Sequence, residues 1–354
     1  MSMRFEHETL GQRVLFGTGV AAAHLAAEIA RLKAHRVMVI AAESEATIAA
    51  TLTEDLDVAL VYTDVAPHVP IEKAANARKA ANDADIDLLV CIGGGSTTGL
   101  AKAVAMVRQV PIVAIPTTYA GSEATNVWGL TEAARKTTGV NNAVLPVTVI
   151  YEAQLTLTLP VALSVASGLN ALAHCVDSMW APRADPINQA LAIEGVHALA
   201  WGLRLVVMDP EGAVGRERML YGAYLAAVAF ASAGSGMHHK ICHVLGGAFG
   251  LPHAQTHATV LPHVLAFNSA AAPEAEQRLA DAFGSITATG GLDKLRADVG
   301  APTALQDYGL TEDDIPEAVQ LILPHIPASN PRQVTSGNLD ELLRAALTGA
   351  APGR

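Results

Sequence analysis

The chain has 354 residues, of which 51% are hydrophobic and 16% are charged, so it can bury a large core and is not disordered. Its 23 basic and 34 acidic residues give a net charge of -11 with no basic cluster, which argues against nucleic-acid and anionic-membrane partners. Charges, prolines or glycines interrupt every apolar stretch well short of the roughly 18 residues of a bilayer span. No N-terminal segment resembles a signal, and the three cysteines are widely spaced. We therefore expect a cytoplasmic protein of about two domains with small-molecule partners.

Short apolar runs alternate with helical patterns in the first third of the chain. The runs are rich in β-branched residues and lie at 36–40, 57–62, 87–92 and 111–115. Between them, apolar residues recur every three or four positions at 22–32, 71–84 and 98–107. This alternation predicts a parallel sheet with right-handed crossovers and helices on both faces. Residues 13–16 are expected to add an edge strand.

The pattern changes near residue 159. Beyond it we find no convincing strand, only helical patterns at 161–180, 186–207, 215–233, 238–249, 258–269 and 273–283, with shorter ones to the end. Pro160 is well placed for the first turn of a helix. We therefore predict an α/β domain over residues 1–158 and an all-helical domain over residues 159–354.

A glycine loop, Gly93-Gly-Gly-Ser-Thr-Thr-Gly99, separates the predicted strand at 87–92 from the next helix. Glycines let a backbone approach a phosphate, and a helix N-terminus offers N–H donors to it. The next strand ends in Pro116-Thr-Thr118 and Ala120-Gly-Ser122, which predicts a second polar lip beside the loop. The pattern is not GxGxxG, and Ala41 and Ala42 follow the strand at 36–40 where an acid would bind the ribose of NAD. NADH and NADPH both remain open as cofactors, and a simple structural turn is the alternative for the loop.

Six of the 13 histidines lie between positions 238 and 263. His239 and His243 are four apart and share one helix face, as do Asn170 and His174 on an earlier helix. Two such pairs can converge to build a polar or metal site, and imidazoles with an oxygen ligand suit a divalent transition metal. Hydrogen bonding and proton transfer without a metal are equally compatible with the cluster, because Asn170 is neutral where a carboxylate would bind a metal better.

Several motifs together resemble the iron-containing (group III) alcohol dehydrogenase superfamily. They are the Gly-Gly-Gly-Ser loop, Pro116-Thr-Thr, Ser167-Gly-Leu-Asn-Ala-Leu-Ala-His174, His239-Lys-Ile-Cys-His243 and Gly250-Leu-Pro-His253. Other segments are similar to one branch, the maleylacetate reductases: Gly93 to Lys102, Pro116 to Glu123, Trp128 to Glu132 and Arg135 to Gly139. The resemblance implies the dehydroquinate synthase-like fold, with an N-terminal dinucleotide-binding α/β domain and an all-α C-terminal domain. It also implies an NADH- or NADPH-dependent oxidoreductase that reduces maleylacetate to 3-oxoadipate in the catabolism of aromatic compounds.

The resemblance also assigns candidate site residues. The superfamily holds its metal through an Asp and three His, which fall on Asn170, His174, His239 and His253, so a bound divalent metal would have only His174, His239 and His253 as matching ligands. His243 matches a histidine beside the substrate. We expect all five to form the catalytic site, with His243 and His253 stabilising an enolate and donating a proton. The candidates for cofactor binding are Gly94, Gly95, Ser96, Thr97, Thr117, Thr118 and Lys136.

The substrate would be a dicarboxylate, for which Lys240 and Tyr119 are the candidate ligands. A metal-dependent alcohol or polyol dehydrogenase on the same scaffold is the nearest alternative, and Asn170 argues against it. A sugar-phosphate synthase of the dehydroquinate synthase kind would need basic residues that are absent around the histidines. A non-catalytic nucleotide-binding protein is disfavoured by the histidine cluster. A homodimer is the expected assembly.

Overall fold

A computed structural model of the chain describes residues 3–132 and 135–353. The chain forms two compact units: Gly11–Leu159 is one, and Met1–Leu10 together with Pro160–Arg354 is the other. The N-terminal segment was predicted to lie in the α/β domain, and this assignment is wrong for the residues up to Leu10. One physical reason is the side chain of His7, whose Nδ1 lies 2.8 Å from Oδ2 of Asp185 in the helical unit.

The α/β unit is built around a parallel sheet. The strands in the described residues are β1 (Arg13–Phe16), β2 (Val37–Ile40), β3 (Val58–Tyr62), β4 (Leu88–Gly93), β5 (Ile112–Pro116), β6 (Val127–Glu132), β7 (Arg135–Val140) and β8 (Thr148–Tyr151). Six of them form one sheet in the order β1-β8-β5-β4-β2-β3, with every pair parallel. The predicted parallel sheet and its edge strand at 13–16 are confirmed. β8 and the antiparallel hairpin of β6 and β7 were not predicted.

Helices cover both faces of this sheet. They are α1 (Ala21–Leu32), α2 (Ala46–Leu52), α3 (Ile71–Asp83) and α4 (Gly95–Arg108). Side chains alternate across a strand, so Leu89 and Cys91 of β4 enter one apolar cluster while Val90 and Ile92 enter another. Burial on both faces explains why the central strands are continuous apolar runs.

The strand order reverses beside β4. From β2 the chain continues outward to β3 and then returns to place β4 on the other side of β2. In an open parallel sheet, ligands bind outside the carboxyl ends of the strands at such a reversal. The glycine loop at the end of β4 therefore lies where this type of fold binds a ligand.

The other unit is helical throughout its described part after residue 160. Its helices are α5 (Val161–Ser178), α6 (Pro186–Met208), α7 (Ala213–Ala233), α8 (Met237–Ala248), α9 (His253–Ser269), α10 (Pro273–Phe283), α11 (Ala288–Asp298), α12 (Ile315–Ile322) and α13 (Ser336–Thr348). α5 packs against α6, α7, α8 and α9. α5 lies near the centre of these contacts, and 15 of its 18 residues are buried. α9 starts five residues before the predicted position and so includes His253.

α6 is long and apolar enough to cross a membrane by length and composition, which the sequence analysis did not anticipate. Half of its apolar window is buried in the protein, where α6 packs against α5 and α7. α7 and α8 meet the same criterion only as a pair bent by 99°. Core helices of globular proteins have this composition too, so α6 is accounted for by its packing.

Candidate active site

The glycine loop leads from β4 into the first turn of α4. Gly94 occupies the N-cap position and has no side chain to cap the helix, whose N-terminus carries the positive end of the helix dipole. α4 begins at Gly95, earlier than predicted, so Ser96 and Thr97 lie in its first turn. At Gly93 φ is +150°, and a Cβ there would lie 2.6 Å from Oγ1 of Thr97. This close approach requires glycine and shapes a site suited to a phosphate.

The second polar lip packs directly against the glycine loop. β5 is the neighbour of β4, and the backbone N–H of Thr117 donates to the carbonyl of Gly93 at 3.2 Å. A Cβ placed on Gly94 would lie 3.1 Å from Cγ2 of Thr118, and one on Gly95 would lie 3.3 Å from Cβ of Ala120. The structure therefore brings the predicted cofactor residues Gly94, Gly95, Ser96, Thr97, Thr117 and Thr118 together at the end of two adjacent strands.

Three helices of the helical unit supply the histidine cluster. α5 carries Asn170 and His174, α8 carries His239 and His243, and α9 begins with His253. The rings of His174 and His239 stack with their centroids 4.7 Å apart and an interplanar angle of 12°. The ring of His243 lies 5.9 Å from that of His239. His174 of one predicted i,i+4 pair therefore lies beside His239 and His243 of the other.

His257 joins His253 to the rest of the cluster, a role that the sequence analysis did not assign. Its ring centroid lies 4.3 Å from that of His253 and 4.8 Å from that of His239. Its Nδ1 is 3.0 Å from Nε2 of His238, which lies deeper in the unit. The spacing could have indicated this residue, because His253 and His257 are four apart on the same helix.

The histidines of the cluster differ in their exposure to solvent. His174, His238, His239 and His257 are buried, whereas His243 and His253 are partly exposed. Burial lowers the pKa of His174 to about 4 and that of His238 to about 3, and it lowers the pKa values of His239 and His257 well below the usual range. The buried imidazoles are therefore neutral at pH 7, and protons can reach the cluster through the two accessible rings.

Asp177 is a second candidate site residue that was not predicted from the sequence. It lies on α5, has no exposed surface, and places Oδ2 2.7 Å from Nδ1 of His239. Its carboxylate also accepts backbone N–H bonds from Gly236, His238 and His239 at the start of α8. A Cβ on Gly236 would lie 2.5 Å from Oδ1 of Asp177, so glycine permits the approach. Burial raises the pKa of Asp177 to about 7, while the backbone N–H bonds act in the opposite direction.

Asp177 determines which nitrogen of His239 faces the cluster. The two oxygens of Asp177 together accept three backbone N–H groups, so the side chain also acts as an acceptor toward the ring. Nδ1 of His239 then carries the proton and Nε2 keeps its lone pair. That Nε2 is buried and has no hydrogen-bond partner among the described residues. The sequence signal for Asp177 was the Gly234-Ser-Gly236 segment. It leaves the N-cap of α8 without a capping side chain, so the acceptor for the first N–H groups of α8 must come from another element.

The remaining predicted site residues have different outcomes. Lys240 is partly exposed on α8, and its charge is near enough to lower the pKa of Asp177, so its role in substrate binding stays a prediction. Tyr119 was predicted to bind substrate, and this is wrong because the side chain is fully buried and its hydroxyl lies 3.4 Å from Oγ1 of Thr156. Lys136 belongs to β7, but its side chain lies outside the described part of the chain.

Comparison with known proteins identifies the family. The family model for iron-containing alcohol dehydrogenases matches residues 11–153, and the model for the C-terminal part of the same family matches residues 164–347. The chain belongs to the iron-containing alcohol dehydrogenase family. It is therefore an NAD(P)H-dependent oxidoreductase, as the resemblance of its motifs implied.

Individual relatives align over almost the whole chain. Maleylacetate reductase 1 from Cupriavidus pinatubonensis is 41% identical and covers 99% of both chains. The crystal structure of an iron-containing alcohol dehydrogenase from Corynebacterium glutamicum is 61% identical, covers 98% of both chains and has a TM-score of 0.96. The crystal structure of a maleylacetate reductase from Agrobacterium tumefaciens is 39% identical, with a TM-score of 0.93. These similarities confirm the predicted fold.

The family name implies iron, and the candidate ligands that this chain offers are all neutral: imidazoles and the amide oxygen of Asn170. Asn170 offers a neutral amide oxygen; in the part of the chain that the structure describes, this Oδ1 is buried without a hydrogen-bond partner, as is Nδ1 of His174. The ligand atoms of His238, His239 and His257 come within 4.8 Å of one another, but His238 and His257 already hydrogen-bond to each other. The only carboxylate described at the cluster, that of Asp177, is bonded to Nδ1 of His239 and to the backbone. Hard and borderline cations bind better when an anionic ligand offsets their charge.

Proposed function

We propose that this protein reduces maleylacetate to 3-oxoadipate with NADH or NADPH. The observation that carries the proposal is a cluster of neutral imidazoles beside Asn170, which stands where the family resemblance implies a ligand carboxylate. Such a cluster suits proton transfer and oxyanion stabilisation better than metal binding. Support also comes from several curated maleylacetate reductases that are about 40% identical over nearly the whole chain.

The reaction needs an acid and a site for developing negative charge. When bound, the dihydronicotinamide supplies a hydride to the alkene carbon β to the ketone, which converts the ketone into an enolate. The chain must then stabilise the enolate oxygen and protonate the carbon next to the carbonyl. This adds one hydride and one proton across the double bond and leaves NAD⁺ or NADP⁺.

The partly exposed histidines are the candidates for these tasks. His243 and His253 lie at the accessible edge of the cluster, where they can exchange protons with solvent. His239 is held in one tautomer by Asp177, and its Nε2 can accept a hydrogen bond from a protonated neighbour or from substrate. His174 and Asn170 complete the polar wall. Lys240 supplies a positive charge near the cluster for one substrate carboxylate.

The glycine loop and the second lip would bind the dinucleotide. The unblocked N-terminus of α4 suits the pyrophosphate, and the hydroxyls of Ser96 and Thr118 add donors. Ala41 is buried at the end of β2 and provides no carboxylate for a ribose 2′-hydroxyl, so NADH and NADPH both stay candidate cofactors. We further propose a soluble cytoplasmic homodimer that has no nucleic-acid or membrane partner.

A metal-dependent alcohol dehydrogenase is the second candidate. It is favoured by one observation, the 61% identity to the iron-containing alcohol dehydrogenase from Corynebacterium glutamicum. The two candidates differ in the need for a metal and in the substrate, so a single set of assays separates them.

The test is the oxidation of NADH and of NADPH with enzymatically made maleylacetate, followed spectrophotometrically before and after dialysis against a strong chelator. The proposal predicts turnover that survives dialysis, and no activity with simple alcohols. Activity that is lost on dialysis and restored only by added metal would support the second candidate. His243→Ala should lower kcat by about 100-fold or more while dinucleotide binding stays normal. Unchanged turnover in this variant would refute the role of His243.

A further inference from the structure

Lys102 is a buried cation that the proposed reaction does not use. It lies on α4, seven residues after Gly95, and its side chain has no exposed surface. Burying an ammonium group is costly unless its donors are satisfied. The surroundings of Nζ should therefore show what this residue does.

Four oxygen atoms surround the ammonium group, and all belong to one short segment, 122–127. Nζ lies 2.7 Å from the carbonyl oxygen of Ser122, 2.8 Å from that of Thr125 and 2.7 Å from that of Val127. It also lies 3.1 Å from Oγ1 of Thr125. Three N–H donors match three carbonyl acceptors, so Lys102 ties this segment to α4 at three successive points.

A second buried group anchors the same segment from the other side. The carboxylate of Glu123 accepts the hydroxyl of Tyr151 at 2.9 Å, and the carbonyl of Glu123 accepts Nε2 of Gln12 at 2.8 Å. Burial lowers the pKa of Lys102 to about 7, and Glu123 opposes this effect. The segment is therefore held between α4 and the strands at the β1 and β8 edge.

Segment 122–127 begins where the second lip ends. The lip packs closely on the glycine loop, since a Cβ on Gly94 would lie 3.1 Å from Cγ2 of Thr118 and one on Gly95 would lie 3.3 Å from Cβ of Ala120. Any shift of segment 122–127 would move this lip toward or away from the loop. Because Lys102 and the glycine loop belong to the same helix, the ammonium group couples the two sides of the crevice.

We propose that Lys102 is a positioning residue for dinucleotide binding. Its ammonium group fixes segment 122–127 on α4 and thereby preforms the crevice between the glycine loop and the second lip. The inference rests on the proposed function only in the identity of the ligand. A preformed crevice raises affinity because the ordering is complete before the ligand arrives.

The test is Lys102→Ala with and without n-propylammonium, which replaces the missing carbons and nitrogen of the side chain. The dissociation constants for NADPH and NADH are measured by fluorescence titration, together with kcat and KM for both substrates. We expect a rise of about 10- to 100-fold in the NADPH dissociation constant. At saturating NADPH, kcat and the KM for the oxo acid should be unchanged, and n-propylammonium, but not 1-propanol, should restore affinity. Lys79→Ala is the matched control, because Lys79 is exposed on α3 and pairs only with Asp83 in the described structure.

Two results would overturn the proposal. One is a folded Lys102→Ala protein that binds NADPH as tightly as the wild type, even if its melting temperature is lower. The other can be read on the wild-type protein, and so applies even if the variant does not fold: backbone amides of 122–127 that exchange freely with deuterium and become protected only when NADPH binds. A preformed crevice requires the same slow exchange in both states. If the wild type binds neither dinucleotide, the proposed function fails instead, and protection of 122–127 still reports whether Lys102 orders the segment.

Discussion

Replacing Asp177 with Asn should separate the orientation of His239 from the packing around it. The two side chains have nearly the same shape, but the amide has one acceptor oxygen where the carboxylate has two. Asp177 accepts Nδ1 of His239 and the N–H groups of Gly236 and His239 on Oδ2, and the N–H of His238 on Oδ1. In the variant, the NH₂ group of the asparagine must take either the Oδ1 or the Oδ2 position and therefore face N–H donors there.

The geometry sets the size of the effect. The amide oxygen will occupy the Oδ2 position, because three donors converge there, and the N–H of His238 then loses its acceptor. Charge-assisted bonds become neutral ones and one buried donor is unsatisfied, which we expect to lower the free energy of unfolding by about 2–4 kcal/mol. The weaker acceptor also loosens the tautomer of His239, so kcat should fall about 10- to 100-fold.

The assay combines kinetics, equilibrium denaturation and nitrogen NMR of the His239 ring. The matched control is Asp185→Asn, because Asp185 is another carboxylate that accepts a histidine nitrogen, that of His7 at 2.8 Å, and caps a helix through the N–H groups of Ile187 and Asn188. We expect a similar loss of stability in this control but unchanged kcat and an unchanged His239 tautomer.

Two results would refute the reasoning about Asp177. A variant with wild-type kcat would mean that the tautomer of His239 is not needed for turnover. An equal loss of kcat in Asp185→Asn would mean that general destabilisation, and not the orientation of His239, lowers the rate. A proton on Nε2 of His239 in the wild-type NMR spectrum would contradict the assignment directly.

Three further predictions concern other parts of the molecule. Burial lowers the pKa of His263 to about 4, below its value in the unfolded chain. The unfolded state therefore binds more protons between pH 6.5 and pH 4, and the free energy of unfolding decreases as the pH is lowered through this window. Between pH 7 and pH 4.5, the free energy of unfolding measured by urea denaturation should therefore decrease by about 2.5 kcal/mol less in His263→Asn than in the wild type. Asn170→Asp should bind Zn²⁺ or Fe²⁺ roughly tenfold more tightly in calorimetric titrations, about 1.4 kcal/mol, and an equal affinity would show that the missing carboxylate is irrelevant. Gly93→Ala places a Cβ 2.6 Å from Oγ1 of Thr97 at a φ of +150°. It should lower the melting temperature, decrease the free energy of unfolding by about 1–3 kcal/mol and raise the KM for NADPH.

The fold was predictable where burial imposes a pattern. β2, β4 and β5 are buried on both faces, so their apolar runs end within one residue of the predicted limits. β8, Thr148–Tyr151, is also buried and is as short as β2, so its Val-Ile-Tyr run carried the same signal and was overlooked. The hairpin of β6 and β7 escaped prediction because it is polar and partly exposed, and its residues carry no apolar alternation.

The site was predictable as far as helical spacing extends. The pairs Asn170 with His174 and His239 with His243 were found because residues four apart share a helix face. Asp177 follows His174 by three positions and could not be assigned, since its partners on α8 become neighbours only through the packing of two helices. Tyr119 was misassigned because its position beside the glycine lip says nothing about the direction of its side chain, which enters the core.

Asn170 stands where the family resemblance implies a metal-ligating Asp, and this changes what our proposal requires of the surrounding residues. A divalent ion would hold a substrate oxygen and take up its developing charge, so the imidazoles around it would serve mainly as ligands. With a neutral amide in that place, the negative charge of the enolate has to be met by hydrogen bonds and by a proton. The most buried imidazoles cannot supply that proton, because their pKa values lie well below neutral pH. In our proposal the acid is therefore a histidine that remains in contact with solvent, which restricts the choice to His243 and His253 and leaves His239, oriented by Asp177, to accept and direct the hydrogen bond.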